Sequence, residues 1–264
     1  MHLAFGAGVS FAYHRIAVVF QDVLVRKDGR NRLPRPYGHV FGTPTIQGRK
    51  RVVANLARLA ARHPQSRYSL GNVPGETAYD SDPYAVTAYR GGYAVADAAA
   101  NSLLYVSTPG KIRLLARFPA RRETVPAGVL GPRKMTVDAQ AVPTSVAVGR
   151  HGALYVGILR GVPSRPGTAY IYRVVPGHAP KVWARGLTAV TAIAVDRHGR
   201  LLATELSTGG LLAPPTVPGA LVRISANGKV VRVLPVRGLF DPTGVSRPEI
   251  GPGGQIRGSG GTAG

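Results

Sequence analysis

The sequence predicts an all-β fold, a β-propeller of about four to six four-stranded blades with one short helix between blades. Two observations carry the prediction. The same pair of hairpins recurs along the chain, and glycine and proline, 34 and 22 of the 264 residues, are too frequent for long helices. Hydrophobic residues make up 44% of the chain, enough to bury the faces of such sheets.

Residues 1–37 contain the apolar runs 16–20 and 23–25, which match no repeat and are read as candidate ring-closing strands. The propeller proper is expected over 38–257. Its first hairpin runs from Gly38-His39-Val40-Phe41 through Gly48 to Ala54. Residues 54–62 have helical propensity and apolar spacing, which places the inter-blade helix there. Residues 64–80 and 119–141, polar and rich in Pro, Gly and Arg, are read as connecting loops, and 258–264 as a flexible glycine-rich tail.

The repeats fill the space between. An apolar alternating run, a glycine turn and a second run appear as Thr144-Ser145-Val146-Ala147-Val148, Arg150-His151-Gly152, Ala153-Leu154-Tyr155-Val156. They return as Thr191-Ala192-Ile193-Ala194-Val195, Arg197-His198-Gly199, Arg200-Leu201-Leu202-Ala203, with looser copies starting at Tyr84 and Thr243. The turn glycines Gly92, Gly152, Gly199 and Gly254 recur every 47 to 60 residues, the period of a four-stranded blade with insertions. A second hairpin pattern alternates with the first: Ser102-Leu103-Leu104-Tyr105-Val106 with Gly110, Tyr170-Ile171-Tyr172-Arg173-Val174 with Gly177, and Leu221-Val222-Arg223-Ile224 with Gly228. Period-two alternation about such turns specifies β-hairpins, and two hairpins make one blade.

Composition narrows the function. With no cysteine, disulfides, cysteine-ligated metals and thiol catalysis are excluded. No apolar run reaches the ~20 residues of a membrane-spanning helix, so membrane insertion is not expected. Residues 1–9 are apolar without a basic lead and do not read as a signal peptide. The net charge of +22 makes sequence-blind polyanion binding one candidate role, through clusters such as Arg49-Lys50-Arg51 and Arg133-Lys134.

Several stretches together resemble the ScyD/ScyE family of NHL-like β-propeller proteins. They are Asp80-Ser81-Asp82-Pro83-Tyr84, Val95-Ala96-Asp97-Ala98 with Asn101-Ser102-Leu103-Leu104, Val142-Pro143-Thr144-Ser145-Val146-Ala147-Val148, Tyr155-Val156-Gly157, and Tyr170 to Gly177. The similarity spans roughly 48–250. It implies an extracellular or periplasmic propeller of the kind that cyanobacteria encode with scytonemin biosynthesis. Three departures stand out. Family members are usually longer at the N-terminus, so the resemblance leads one to expect one or two blades to be degenerate or missing. Turns that commonly read Pro-Asp-Gly are Arg150-His151-Gly152 and Arg197-His198-Gly199, and the residue after Tyr-Val-Gly is Ile158 rather than an acid or amide.

The candidate ligand-binding residues are those at one channel mouth. Tyr84, Thr144, Thr191 and Thr243 open the inner hairpins and could ring a ligand, although threonine in such places also bonds local backbone. Asp97 and Glu205 end equivalent second strands, with Ile158 as the third member. Two carboxylates are too few for calcium, which takes six to eight oxygens, and Asp97 fits a turn cap beside Asn101. The seven histidines form no metal-binding spacing, and no cofactor, catalytic residue or metal site is assigned. The expectation is a non-catalytic binding or scaffold propeller that takes a small molecule or protein on one face. The alternatives are a calcium-dependent, lactonase-like hydrolase of the six-bladed type and a polyanion-binding surface.

Overall fold

A computed structural model describes residues 2–12, 15–24, 39–43, 51–56, 81–234, 238–245, 249–250 and 256–257, with side chains over 53–56, 81–230 and 238–245. Four antiparallel sheets of four strands follow one another, each with its strands in chain order. The first comprises β1 (His2–Ala12), β2 (Arg15–Leu24), β3 (His39–Thr43) and β4 (Arg51–Asn55). The second comprises β5 (Pro83–Tyr89), β6 (Gly92–Asp97), β7 (Ser102–Val106) and β8 (Ile112–Arg117). A separate hairpin, β9 (Arg121–Val125) with β10 (Met135–Ala139), leads into the third sheet. That sheet comprises β11 (Pro143–Val148), β12 (Leu154–Ile158), β13 (Ala169–Val174) and β14 (Lys181–Leu187). The fourth comprises β15 (Val190–Val195), β16 (Leu201–Glu205), β17 (Ala220–Ile224) and β18 (Val230–Leu234), and a short pair, β19 (Glu249–Ile250) with β20 (Ile256–Arg257), follows.

The sheets stack as propeller blades. Their first strands pack in succession, β1 on β5, β5 on β11 and β11 on β15. Strand alternation then sends successive side chains of one strand to opposite neighbours. On β6, Val95 joins Ala54, Leu56, Val86 and Leu104 between the first two blades, while Ala94 and Ala96 join Leu154, Val156 and Ile158 between the second and third. On β12, Tyr155 turns the other way and packs with Ile193, Leu201 and Ala203 between the third and fourth. The second and third sheets thus bury both faces only because each has two neighbours, which is why the hairpin pattern must repeat.

The inner strands carry small residues where blades converge. Gly157 on β12 is the tightest case: a Cβ there would sit 2.9 Å from Val190 Cγ1 and closer still to Ser145 Oγ. Farther out, larger groups fill the widening gap, with Phe118 stacked on Tyr172 and Tyr155 edge-on to Trp183. The turn at Gly228, with φ of 88°, lets the β17–β18 hairpin press onto the Trp183 backbone of the preceding blade.

Four expectations change. The segment 1–37 holds β1 and β2, which pair with each other, and β2 pairs on with β3, so they open a blade of their own rather than joining the last one. Ala54 and Asn55, placed in a helix by propensity, belong to β4, because pairing with β3 overrides a weak local preference; the described residues contain no α-helix. The stretch 119–141 is not a plain loop, since it carries β9 and β10. The hairpin expected to start at Thr243 forms later, at β19. Residues 57–80, Gly254 and the tail 258–264 lie outside the described part.

Candidate functional site

In each blade the first strand starts, and the second ends, at the same end of the sheet. Pro83 pairs with Asp97, Pro143 with Ile158, and Val190 with Glu205. Asp97, Ile158 and Glu205 are therefore equivalent, as their spacing suggests. Just inside each pair the register slips by one residue, and the extra residue is Tyr84, Thr144 or Thr191. A bulge at this place re-aims one side chain out of the pleat.

Those re-aimed hydroxyls bond to the next blade. Thr144 Oγ1 donates to the Val190 carbonyl at 2.7 Å, and Thr191 Oγ1 donates to the Pro242 carbonyl at 2.6 Å while facing Thr204 Oγ1 at 2.9 Å. Both threonines are buried. Tyr84 is half-buried and Thr243 exposed, outside any strand, so the four residues do not make a uniform ring of hydroxyls. What recurs instead is a backbone device. Ala98, Leu159 and Leu206 donate N–H bonds to the carbonyls of Asp82, Val142 and Ala189, the residues just before each blade. Val142, Ala189 and Asp241 all hold positive φ, at 57°, 41° and 43°. Pro242 and Thr243 thus follow Asp241 as Val190 and Thr191 follow Ala189.

The two carboxylates are enclosed and engaged. Asp97 is fully buried; Ser81 Oγ donates to its Oδ2 at 2.6 Å, and the amides of Asp82 and Ala100 donate to Oδ1 at 2.8 and 3.1 Å. Burial pushes its pKa up to about 6 despite those three donors. Glu205 is buried too, accepts the Thr188 amide at 2.7 Å, and is likewise raised by burial. Both side chains fasten the segment leading into their own blade. Asn101 extends this tie, accepting from the Val142 amide at 2.9 Å and donating to Gln140 Oε1 at 2.5 Å.

Sequence reasoning missed a third acidic group at this end. Glu123 on β9 is buried against Arg160, whose Nε lies 2.5 Å from Oε1, and Arg165 Nη2 reaches Oε2 at 3.5 Å. Arg160 also faces the Tyr170 ring, which Arg121 covers at 4.8 Å. The only signal was a lone acid in an arginine-rich stretch. The loops after β12 and β16 then interlock, since Gly210 lies directly against the backbone of Ser164.

Among the described residues, no cluster of three or more His, Asp or Glu could hold a metal ion. The donor set does not fit calcium: Asp97 and Glu205 are turned onto their own backbone, and Ile158 occupies the third equivalent place.

No protein-family model matches the chain, and no curated protein matches it. Solved structures do. One from a nidogen–laminin complex aligns over 92% of this chain and 68% of its own at 13% identity, with a TM-score of 0.51. XC5397, a gluconolactonase from Xanthomonas campestris, aligns over 88% of this chain at 14% identity, with a TM-score of 0.50; the chain spans 62% of that protein's length. An α-L-arabinofuranosidase from Clostridium thermocellum, CtGH43, aligns over 88% at 9% identity, with a TM-score of 0.51. At such identities the likeness is one of fold. The chain is a β-propeller protein.

Proposed function

We propose that this propeller is a non-catalytic binding or scaffold module of the ScyD/ScyE type, presenting the loops at the end where first strands open. One observation supports it above the rest: the two threonines there are bonded to the segment that follows, and the two carboxylates to the segment leading into their own blade. Asp97, Glu205, Thr144 and Thr191 are all buried and bonded to backbone, so none is free to polarise or attack a substrate. The exposed groups include Leu212 in the loop after β16, and Val129, Leu130 and Met135 on the β9–β10 hairpin, apolar side chains suited to a protein or small-molecule contact.

The gluconolactonase likeness raises the hydrolase alternative, which requires calcium and convergent oxygens. Purified protein stripped of metal by chelation should show no rise in melting temperature on adding calcium, and no hydrolysis of gluconolactone above the uncatalysed rate. A calcium-dependent rise together with hydrolysis would overturn the proposal.

A further inference from the structure

The opposite end of the blades, where each first strand turns into its second, has a distinct chemistry. Arg90 lies in the β5–β6 turn, Arg150 and His151 in the β11–β12 turn, and Arg197 and His198 in the β15–β16 turn, all exposed. Because first strands pack on one another in succession, these turns gather along one end of that inner row.

The arginines are also held in position. Arg90 extends over the next blade's turn, so that a Cβ on Gly152 would lie 3.4 Å from its Nη2, and Tyr89 donates to the Gly152 carbonyl at 2.9 Å. Arg150 repeats the reach one blade on: its Cδ lies 3.5 Å from the same point on Gly199, and its Nη2 contacts the Arg197 carbonyl at 3.4 Å. A linked row of guanidinium groups therefore runs over three successive turns. Lys111, Lys181 and Lys229, exposed in or beside the outer turns of this end, add to the field.

Negative charge is segregated away from it. Among the described side chains, Asp82, Asp97, Glu123, Asp138, Glu205 and Asp241 all lie at or beside the opening end. Asp196 alone sits at the turn end, and Arg200 holds it at 2.6 Å. Burial pulls the Asp196 carboxyl upward, but the Arg200 side chain and the Arg200 and His198 amides outweigh that and set it below its usual range.

We propose that this cluster of turns binds a compact anion carrying several phosphate groups. Planar guanidinium forks match phosphate oxygens two at a time, and turns already in contact with one another suit a compact ligand better than a polymer laid along a groove. The site is separate from the loops of the functional proposal and does not depend on it.

Inorganic tripolyphosphate is the probe, titrated calorimetrically into the full chain at about 150 mM salt, where exposed charges are screened beyond about 8 Å. Replacing Arg150→Gln with Arg197→Gln should weaken binding at least about tenfold. Glutamine keeps much of the stem and a donor for the Arg197 carbonyl, which protects the fold. Arg133→Ala with Lys134→Ala removes the same charge from the β9–β10 hairpin and should change affinity less than about twofold. Arg150→Lys with Arg197→Lys keeps charge without the fork and should still weaken binding about threefold or more. Equal losses in the glutamine and hairpin variants, full affinity in the lysine variant, or no binding by the parent protein would each overturn the assignment. Tighter binding of a single-stranded oligonucleotide than of tripolyphosphate, lost equally in both charge-removing pairs, would also overturn it, pointing to unspecific polyanion attraction.

Discussion

Thr144 donates its side-chain hydrogen bond to Val190, a residue 46 positions later that begins the next blade. Thr191 does the same to Pro242, and in both cases the donor is the extra residue of a β-bulge. The bulge supplies direction, and the hydroxyl donates to a carbonyl at a buried residue of the following segment.

Thr144→Val and Thr191→Val should each therefore cost about 1–3 kcal/mol, because the partner carbonyl stays buried without its donor. Thr243→Val, at an exposed position, should fall within about 0.5 kcal/mol of the parent. Urea denaturation of the three variants checks this, and a loss at Thr243 matching the other two would contradict the assigned roles.

Gly157→Ala should destabilise by about 1–3 kcal/mol through overpacking, since the new methyl meets Ser145 and Val190 where blades converge. Gly167→Ala is a useful comparison: its site is open, so any cost comes from its φ of 75° alone. Thermal midpoints of the pair separate crowding from backbone strain.

Asp97 makes stability depend on pH in a definite sense. Its carboxyl titrates near 3.8 in a model peptide and at about 6 when folded, so between those values the native chain holds a proton that the unfolded chain releases. Its contribution is fully present below about pH 4 and is lost as pH rises through about 6. Glu205, raised by the same cause, acts in the same direction. Asp97→Asn should flatten the fall in denaturation midpoint over that window; an unchanged slope would show that other groups carry it.

The Glu123–Arg160 pair is enclosed, so removing one partner strands a charge. Arg160→Met should cost about 3–5 kcal/mol, tempered by Arg165, which still reaches the second carboxylate oxygen. Arg160→Met combined with Glu123→Leu should recover a large part of that loss, and chemical denaturation of the single and double variants measures the coupling.

The fold was legible because blade geometry leaves a strong trace. Alternation between Val95 and its neighbours Ala94 and Ala96 reports two buried faces, and recurrent turn glycines report the period. The strand ends were also readable, since Asp97, Ile158 and Glu205 are equivalent by spacing alone. The inner hairpin of the first blade was not recognised because its strands β1 and β2, of 11 and 10 residues, are longer than the others and lack the common turn. β9 was hidden by its two arginines and β10 by its shortness, because a largely exposed hairpin needs little apolar alternation. The threonine bonds were beyond reach: a bulge depends on partner register, and whether a hydroxyl meets ligand or carbonyl depends on the blade beside it.

Both the threonine bond and the arginine reach run forward, from one blade to its successor. The second, third and fourth blades thus each bring a fastener of their own and need only a generic receiving edge. Duplication or loss of a whole unit leaves each remaining joint chemically intact, whereas shifting a boundary by a single residue misaligns donor and acceptor. Modular growth is built into the direction of these contacts.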